Sequence, residues 1–233
     1  MPDASGLDIL DDVENFYSWL ATPDNLAGHL PDGIIPDVGN VLVTGESAGG
    51  WLALQSALLS EPRRSISAVI AQYPMIDMRA PWYTGDFEKQ IFTPVAPQLD
   101  RSILEKYMTE LRDESTVTSA VPPDRVPLVI SALQQGKFGE LLGDNSSLYP
   151  LELLDNVTDL PTTWILHGTG DTVIPVEGTY NFEKKLKEKL PQAKAHFTYE
   201  SGDHGFDNAP DVSIGTPWIR EGVEYIKQSW PHH

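Results

Sequence analysis

Three side chains with complementary chemistry each follow a segment that is predicted to be a buried strand. Ser47 lies in GESAGG, Asp171 in HGTGDTVIP and His204 in GDHGF. A serine hydroxyl becomes a nucleophile when a histidine accepts its proton and a carboxylate holds that histidine in one tautomer. The carboxyl ends of parallel strands meet at one edge of a sheet. We therefore expect Ser47 as nucleophile, His204 as base and Asp171 as its orienting acid.

The segment around Ser47 fits G-x-S-x-G between a predicted strand (41–43) and a predicted helix, which is the context of a nucleophile elbow. We expect a side chain at Gly45 or Gly49 to collide with the neighbouring strand or helix, and Gly50 to let the helix approach the sheet. The amide of Ala48 would donate a hydrogen bond to a developing oxyanion. The alternative is a glycine-rich turn that cradles a phosphate.

The acid and the base both have rivals in the sequence. Asp203 adjoins His204, and neighbouring side chains in an extended loop point apart, so it is a poor partner; Asp207 and Glu200 remain alternative acids. His167 is expected to fix the Asp171 loop through hydrogen bonds. For the other histidines a surface or structural role is expected: His29, His196, His232 and His233.

The hydrophobic pattern alternates between strands and helices. It predicts an amphipathic helix over 6–20 and a strand buried on both faces at 41–43. Further strands are predicted at 67–73, 163–167 and 195–200, and further helices at 99–112, 126–135, 177–190 and 214–230. The alternation favours an α/β fold, with a mostly parallel sheet and helices on both faces. We expect residues 1–74 and 158–233 to form the core of a single domain, and residues 75–157 to form a helical cap over the site.

Composition excludes several classes of partner. The formal net charge is −18, from 34 acidic and 16 basic residues, which disfavours binding to nucleic acids. There is no cysteine, and no apolar stretch approaches the length of a membrane span. The acidic residues are scattered and match no metal motif, so no metal is expected. We expect a cytoplasmic protein whose ligand is a small, largely apolar molecule.

The motifs GESAGG, HGTGDTVIP and GDHGFD, together with the opening PDASGLDILDDVENFYSWL, carry a family resemblance. The chain resembles α/β-hydrolases of the hormone-sensitive-lipase/esterase-like type (alpha/beta hydrolase-3), and among them enzymes common in fungal secondary metabolism. The resemblance implies a serine hydrolase that acts on a carboxylester, lactone or thioester without a cofactor. Four aromatic residues are candidates for lining an acyl pocket: Trp51, Tyr73, Trp82 and Phe206.

The sequence departs from this family at its start. Family members have several strands before this point and an HGGG-type loop that donates oxyanion-hole amides. No such motif is present here, so the fold is expected to be N-terminally shortened, with Ala48 as the sole predicted donor. Losing one donor costs about 10²- to 10³-fold in rate. We expect a homodimer that covers the exposed sheet edge. The alternatives are a partial chain, a non-catalytic ligand-binding or cyclase-like protein, and a serine peptidase.

Overall fold

One parallel sheet organises the chain. A computed structural model describes residues 2–22, 24–59, 65–92, 97–111, 121 and 124–231. Its strands are β1 (Val41–Glu46), β2 (Ile66–Gln72), β3 (Thr162–Gly168) and β4 (Ala195–Glu200), hydrogen-bonded in that order. Because all of them run in the same direction, their carboxyl ends lie at one edge.

Helices separate the strands along the chain. The helices of the described residues are α1 (Gly6–Leu20), α2 (Ala48–Leu58), α3 (Pro81–Thr84), α4 (Ser102–Glu110), α5 (Val126–Gln134), α6 (Phe138–Leu142), α7 (Pro150–Leu153), α8 (Glu177–Lys189) and α9 (Pro217–Ile226). Ser5 begins α1 with a capping box: its hydroxyl accepts from the amide of Asp8, whose carboxylate accepts from the amide of Ser5. No helix in these ranges is both long and apolar enough to cross a membrane.

Alternate residues of the strands pack against opposite layers of helices. On β2, Val69 packs with α1 and α2, whereas its neighbour Ala68 packs with Ile226 of α9. On β3, Ile165 faces α2 and α8, whereas Trp164 faces α9. This period of two buries both faces of the sheet. The predicted fold class, a parallel sheet with helices on both sides, is therefore confirmed.

Three details differ from the sequence predictions. Strand β1 is not buried on both faces but is a half-exposed edge of the described sheet, because an apolar run does not reveal how many strands pair with it. The last helix is shorter than 214–230, since Pro217 occupies its first turn and turns follow Ile226. Helix α4 begins at Ser102 instead of Leu99, and the predicted end at Arg112 lies outside the described residues.

Helices α3 to α7 lie between β2 and β3 in the chain. Apolar side chains of α3, α5 and α6 form a core cluster with residues from α1, α2 and the loops that follow β2 and β3. The cluster includes Trp51 of α2, Met75 and Met78 after β2, and Val173 and Ile174 after β3. These three helices are thus packed next to the carboxyl ends of the strands.

Candidate active site

Ser47 occupies a strained turn between β1 and α2. Its backbone has φ 57° and ψ −120°, a conformation that costs a non-glycine residue about 1–3 kcal/mol. Its amide donates to the carbonyl of Gln72 at 2.9 Å, and its carbonyl accepts from the amide of Trp51 at 3.2 Å. The turn is therefore fixed to β2 on one side and to α2 on the other.

Close approach explains two of the glycines around Ser47. A Cβ atom at Gly45 would lie 2.2 Å from the carbonyl oxygen of Gly49, and one at Gly50 would lie 3.0 Å from the backbone of both Gln72 and Pro74. The prediction for Gly49 is wrong: nothing lies within 4 Å of a Cβ atom there. The helix approaches the sheet closely at Gly50, as predicted.

The structure brings together the three side chains that the sequence singled out. The Nε2 atom of His204 lies 3.1 Å from Oγ of Ser47, and its Nδ1 atom lies 2.8 Å from Oδ2 of Asp171. Asp171 can only accept when ionised, so Nδ1 carries the proton and Nε2 is left to accept from the serine hydroxyl. This arrangement is chemically suited to activating Ser47 as a nucleophile.

The carboxylate of Asp171 is completely buried yet well supplied with donors. Its Oδ1 atom accepts from the amides of Val173 and Ile174, each at 2.8 Å. Burial alone raises the pKa of Asp171, but hydrogen bonds from His167, His204 and the Ile174 amide together outweigh it and lower the pKa to about 2. Asp171 is therefore ionised at neutral pH.

Two of the rival acids, Asp203 and Asp207, accept hydrogen bonds from other groups. Asp203 accepts from the amides of Thr172 and His204, both at 2.7 Å, and so ties the loop of Asp171 to the loop of His204. The carboxylate of Asp207 accepts from Nε2 of Gln72 at 2.6 Å. Sequence reasoning dismissed Asp203 as a partner of the imidazole but missed its role as a tie between the two loops; its position next to His204 was the available signal.

His167 takes the anchoring role that was predicted for it. It is fully buried, with Nε2 3.0 Å from the carbonyl of Ile174 and Nδ1 2.7 Å from the hydroxyl of Thr179. Its Nε2 atom also lies 3.4 Å from Oδ2 of Asp171. Of the remaining histidines, His196 lies on β4 and His29 beside Trp19, while His232 and His233 lie outside the described residues.

A cavity of about 300 Å³ opens beside Ser47 and Ala48. Its walls come from α1, α2, α3, α5, α6 and the loops after β2 and β3, and they include Ile9, Trp51, Leu52, Met75, Met78, Tyr83, Leu128, Val129, Ala132, Leu133, Phe138 and Ile174. Ala48 is the first residue of α2, where backbone N–H groups have no acceptor within the helix. Its amide is therefore available to a ligand oxygen.

Only one of the four aromatic candidates lines this cavity, namely Trp51. The ring of Tyr73 instead packs against His204, with centroids 4.7 Å apart. Trp82 donates its indole N–H to the carbonyl of Val173 at 3.0 Å. The ring of Phe206 packs against Trp218 at 5.5 Å.

Ser47 also lines a second cavity of about 300 Å³. Its walls include Ile91, Phe92, Arg125, Val126, Ile130 and His204. Ser47, Val129, Leu133 and Val173 line both cavities. In the part of the chain that the structure describes, no group of three or more metal-binding side chains occurs.

Comparison with known proteins identifies the family. A family model described as alpha/beta hydrolase fold matches residues 2–208. The chain is 31% identical over 235 residues to "Probable carboxylesterase M8" of Phoma sp., spanning 99% of this chain and 72% of that protein. It is 33% identical over 179 residues to "Probable carboxylesterase clz11" of Cochliobolus lunatus, spanning 75% of this chain and 81% of that protein. A solved structure of a Staphylococcus aureus protein of unknown function shares the fold, with a TM-score of 0.64 and 20% identity over 98% of this chain and 74% of that one.

Proposed function

Because this chain belongs to the family of proteins with the alpha/beta hydrolase fold, we propose that it is a serine hydrolase that cleaves a carboxylester, lactone or thioester. The observation that carries the proposal is the continuous line of hydrogen bonds from Ser47 through His204 to Asp171. The similarity of the chain to two fungal proteins named as carboxylesterases supports an ester-type substrate.

The proposed reaction proceeds through an acyl-enzyme. Oγ of Ser47 attacks the carbonyl carbon while its proton passes to Nε2 of His204, and Asp171 stabilises the resulting imidazolium. The amide of Ala48 donates to the oxyanion. The tetrahedral intermediate collapses when the proton on Nε2 passes to the leaving oxygen or sulfur. A water molecule, deprotonated by the same imidazole, then hydrolyses the acyl-Ser47 ester and restores the serine.

The two cavities supply a rationale for how a substrate lies across Ser47. The oxyanion donor Ala48 lines the first cavity, and the proton donor His204 lines the second. We therefore assign the acyl group to the first cavity and the leaving group to the second. The first has no charged residue in its described lining, and its volume equals roughly ten water molecules. A neutral, largely apolar acyl group of about that size fits it.

We further propose that residues 75–157 act as a cap on a core made by residues 1–74 and 158–233. The support is that α5 of this segment contributes Val129 and Leu133 to both cavities. A substrate bound across Ser47 would then contact the cap with both its acyl group and its leaving group.

Turnover of p-nitrophenyl esters tests the function. The wild-type protein should release p-nitrophenol, and Ser47→Ala should lose activity by at least about 10³-fold while it keeps its thermal unfolding temperature. Equal rates for the two proteins would exclude Ser47 as the nucleophile.

The acyl-group assignment predicts opposite shifts in two variants of the first cavity. Ala132→Leu fills space and should move the preferred ester toward shorter acyl chains, while Met78→Ala adds space and should move it toward longer ones. Both residues are buried, so both changes cost stability. Lost stability alone cannot produce shifts of opposite sign. Measuring kcat/KM across an acyl-length series therefore separates a change in acyl preference from a loss of stability. Unchanged preference in both variants would refute the assignment.

A second candidate function is ligand binding without catalysis. The observation that favours it is the oxyanion site, for which Ala48 is the one donor identified among the described residues. If the folded protein binds a p-nitrophenyl ester but neither turns it over nor forms an adduct with a fluorophosphonate, this candidate replaces the hydrolase.

We also propose that two copies of the chain associate through the β1 edge. The support is the position of β1 at the edge of the described sheet and the exposed apolar side chains on the segments that precede it: Phe16, Trp19, Ile34 and Ile35. Burial of such a surface is favourable at about 25 cal/mol per Å².

A further inference from the structure

Tyr73 adopts a conformation that is costly for a tyrosine. It directly follows β2, its φ is +35°, and its side chain is almost completely buried. A bulky residue with positive φ costs about 1–3 kcal/mol and persists only where the surroundings hold it. Here the backbone is held because the amide of Tyr73 donates to the carbonyl of Leu166 at 2.6 Å.

The side chain of Tyr73 contacts the proposed proton acceptor, His204, and the residue that precedes the proposed nucleophile. Its ring packs edge-to-face on the imidazole of His204, with centroids 4.7 Å apart and planes at 64°. Its hydroxyl donates to Oε2 of Glu46 at 2.5 Å, and Glu46 immediately precedes Ser47. Burial and the nearby carboxylates of Glu46 and Asp207 raise the pKa of Tyr73 above its usual range, so the hydroxyl keeps the proton that it donates.

We propose that Tyr73 is a positioning residue that holds the imidazole of His204 and the turn of Ser47 within hydrogen-bonding distance of each other. Its effect on turnover rests on the function proposed above. The Ser47 turn follows β1 and the loop of His204 follows β4, so the two groups approach from opposite edges of the described sheet. Tyr73, at the end of the strand beside β1, is the side chain that touches the imidazole and the residue before Ser47.

The geometry explains why the hydrogen-bonded pair of Tyr73 and Glu46, here called the brace, affects the rate. Proton transfer needs heavy atoms about 2.6–3.2 Å apart, and the distance from Nε2 to Oγ is 3.1 Å, near the upper limit. A displacement of about 1 Å can cost 10²-fold. Glu46 takes part through its hydrogen bond to Tyr73 and touches no reacting atom, so it belongs to the brace.

Tyr199 provides a matched control. It lies on β4, and its hydroxyl donates to Oε2 of Glu183 at 2.7 Å, the same chemistry as the pair of Tyr73 and Glu46. Its ring packs against Tyr180, and β4 lies at the edge of the described sheet opposite to β1, which leads to Ser47. Tyr199→Phe therefore removes an equivalent hydrogen bond without touching the brace.

The kinetic test compares Tyr73→Phe, Glu46→Ala, Glu46→Gln and Tyr199→Phe in the full chain. Tyr73→Phe and Glu46→Ala should each lower kcat on the order of tenfold with KM unchanged, a fraction of the cost of a 1 Å displacement. The double variant should be no slower than either single variant, because both remove the same bond. Glu46→Gln, whose amide oxygen still accepts, should keep most of the rate, and Tyr199→Phe all of it. Equal kcat for Tyr73→Phe and Tyr199→Phe would overturn the proposal.

A second readout does not need activity. The proton on Nδ1 of His204, shared with Asp171, gives a resolved downfield NMR signal when the imidazole is held in place. We expect Tyr73→Phe and Glu46→Ala, but not Tyr199→Phe, to speed its exchange with solvent. If wild-type protein lacks turnover but the signal responds in this way, the brace stands and the hydrolase proposal fails. If the signal is the same in all variants, the brace is refuted whether or not esters are cleaved.

Discussion

At the scale of single residues, the site depends on a buried charge whose cost is offset by its neighbours. The side chain of Asp171 has no contact with solvent, and a buried carboxylate is unfavourable unless it is hydrogen-bonded. Two backbone amides and two histidines surround it. These donors keep it ionised, and an ionised Asp171 fixes the tautomer in which Nε2 of His204 can accept the proton of Ser47.

The pKa of Asp171 predicts a change of stability in acid. The folded pKa, about 2, lies below the ordinary value of 3.8. The stabilisation is therefore complete above about pH 4 and is lost as the pH falls through about 2. The difference corresponds to about 2 kcal/mol of unfolding free energy. In urea titrations across this range, Asp171→Asn should show a shallower loss of stability with falling pH than the wild-type protein.

The matched control for this titration is Asp12→Asn, which removes one carboxylate from the exposed side of α1. The free energy of unfolding of this variant should change with pH as it does in the wild-type protein. If Asp171→Asn and the wild-type protein lose the same stability in acid, groups other than Asp171 cause the loss.

At the scale of elements, the site depends on how two neighbouring strands end. Residues with positive φ follow both β1 and β2, namely Ser47 and Tyr73. The amide of Ser47 bonds to the last residue of β2, and the amide of Tyr73 bonds to Leu166 of β3. Each strained turn is thus fixed by the next strand of the sheet. Strain at a functional site persists when neighbouring structure offsets it in this way.

The elbow predicts opposite outcomes for two glycine substitutions. Gly45→Ala places a methyl group 2.2 Å from the backbone oxygen of Gly49, whereas Gly49→Ala meets open space within α2. Overpacking costs about 1–3 kcal/mol, which corresponds to a fall of several degrees in Tm for a chain of this size. Alanine at 49 should leave Tm unchanged or raise it slightly, because alanine favours helix over glycine. Thermal unfolding followed by circular dichroism measures both, and equal Tm values would contradict the close contact between Gly45 and Gly49.

At the scale of the whole molecule, the chain is acidic and β1 lies at an edge of the described sheet. The net charge of −18 opposes close approach of two copies, while the exposed apolar side chains on the segments before β1 favour it. Salt screens the charge repulsion and leaves the apolar attraction largely intact. The balance therefore depends on ionic strength.

Sedimentation tests the proposed dimer. At physiological salt we expect a species of twice the 25.8 kDa chain mass, with a larger share at higher salt. Ile35→Glu should shift it to the monomer, because Ile35 is 92% exposed on the segment before β1. Ile214→Glu changes another highly exposed isoleucine, just before α9, and should not. A monomer at every concentration and salt would rule the dimer out.

The sequence predicted the parts of the structure that short patterns encode. Strand alternation and loop motifs placed Ser47, Asp171 and His204 at the same edge of the sheet, and the structure brings them together. The half-exposed state of β1 was missed, because an apolar run does not reveal how fully its strand is covered. The cavity walls were mostly missed, since they depend on how the helices of 75–157 dock. The conformation of Tyr73 was missed as well, because nothing in a tyrosine signals positive φ.

Intact-protein mass spectrometry with a fluorophosphonate tests the central claim most directly. The probe requires a nucleophilic serine next to a functioning base, and it needs no knowledge of the substrate. The account predicts one adduct, mapped to Ser47, with no adduct in Ser47→Ala and a much slower one in His204→Ala. Folded wild-type protein that stays unlabelled, or that is labelled at a different serine, would contradict it.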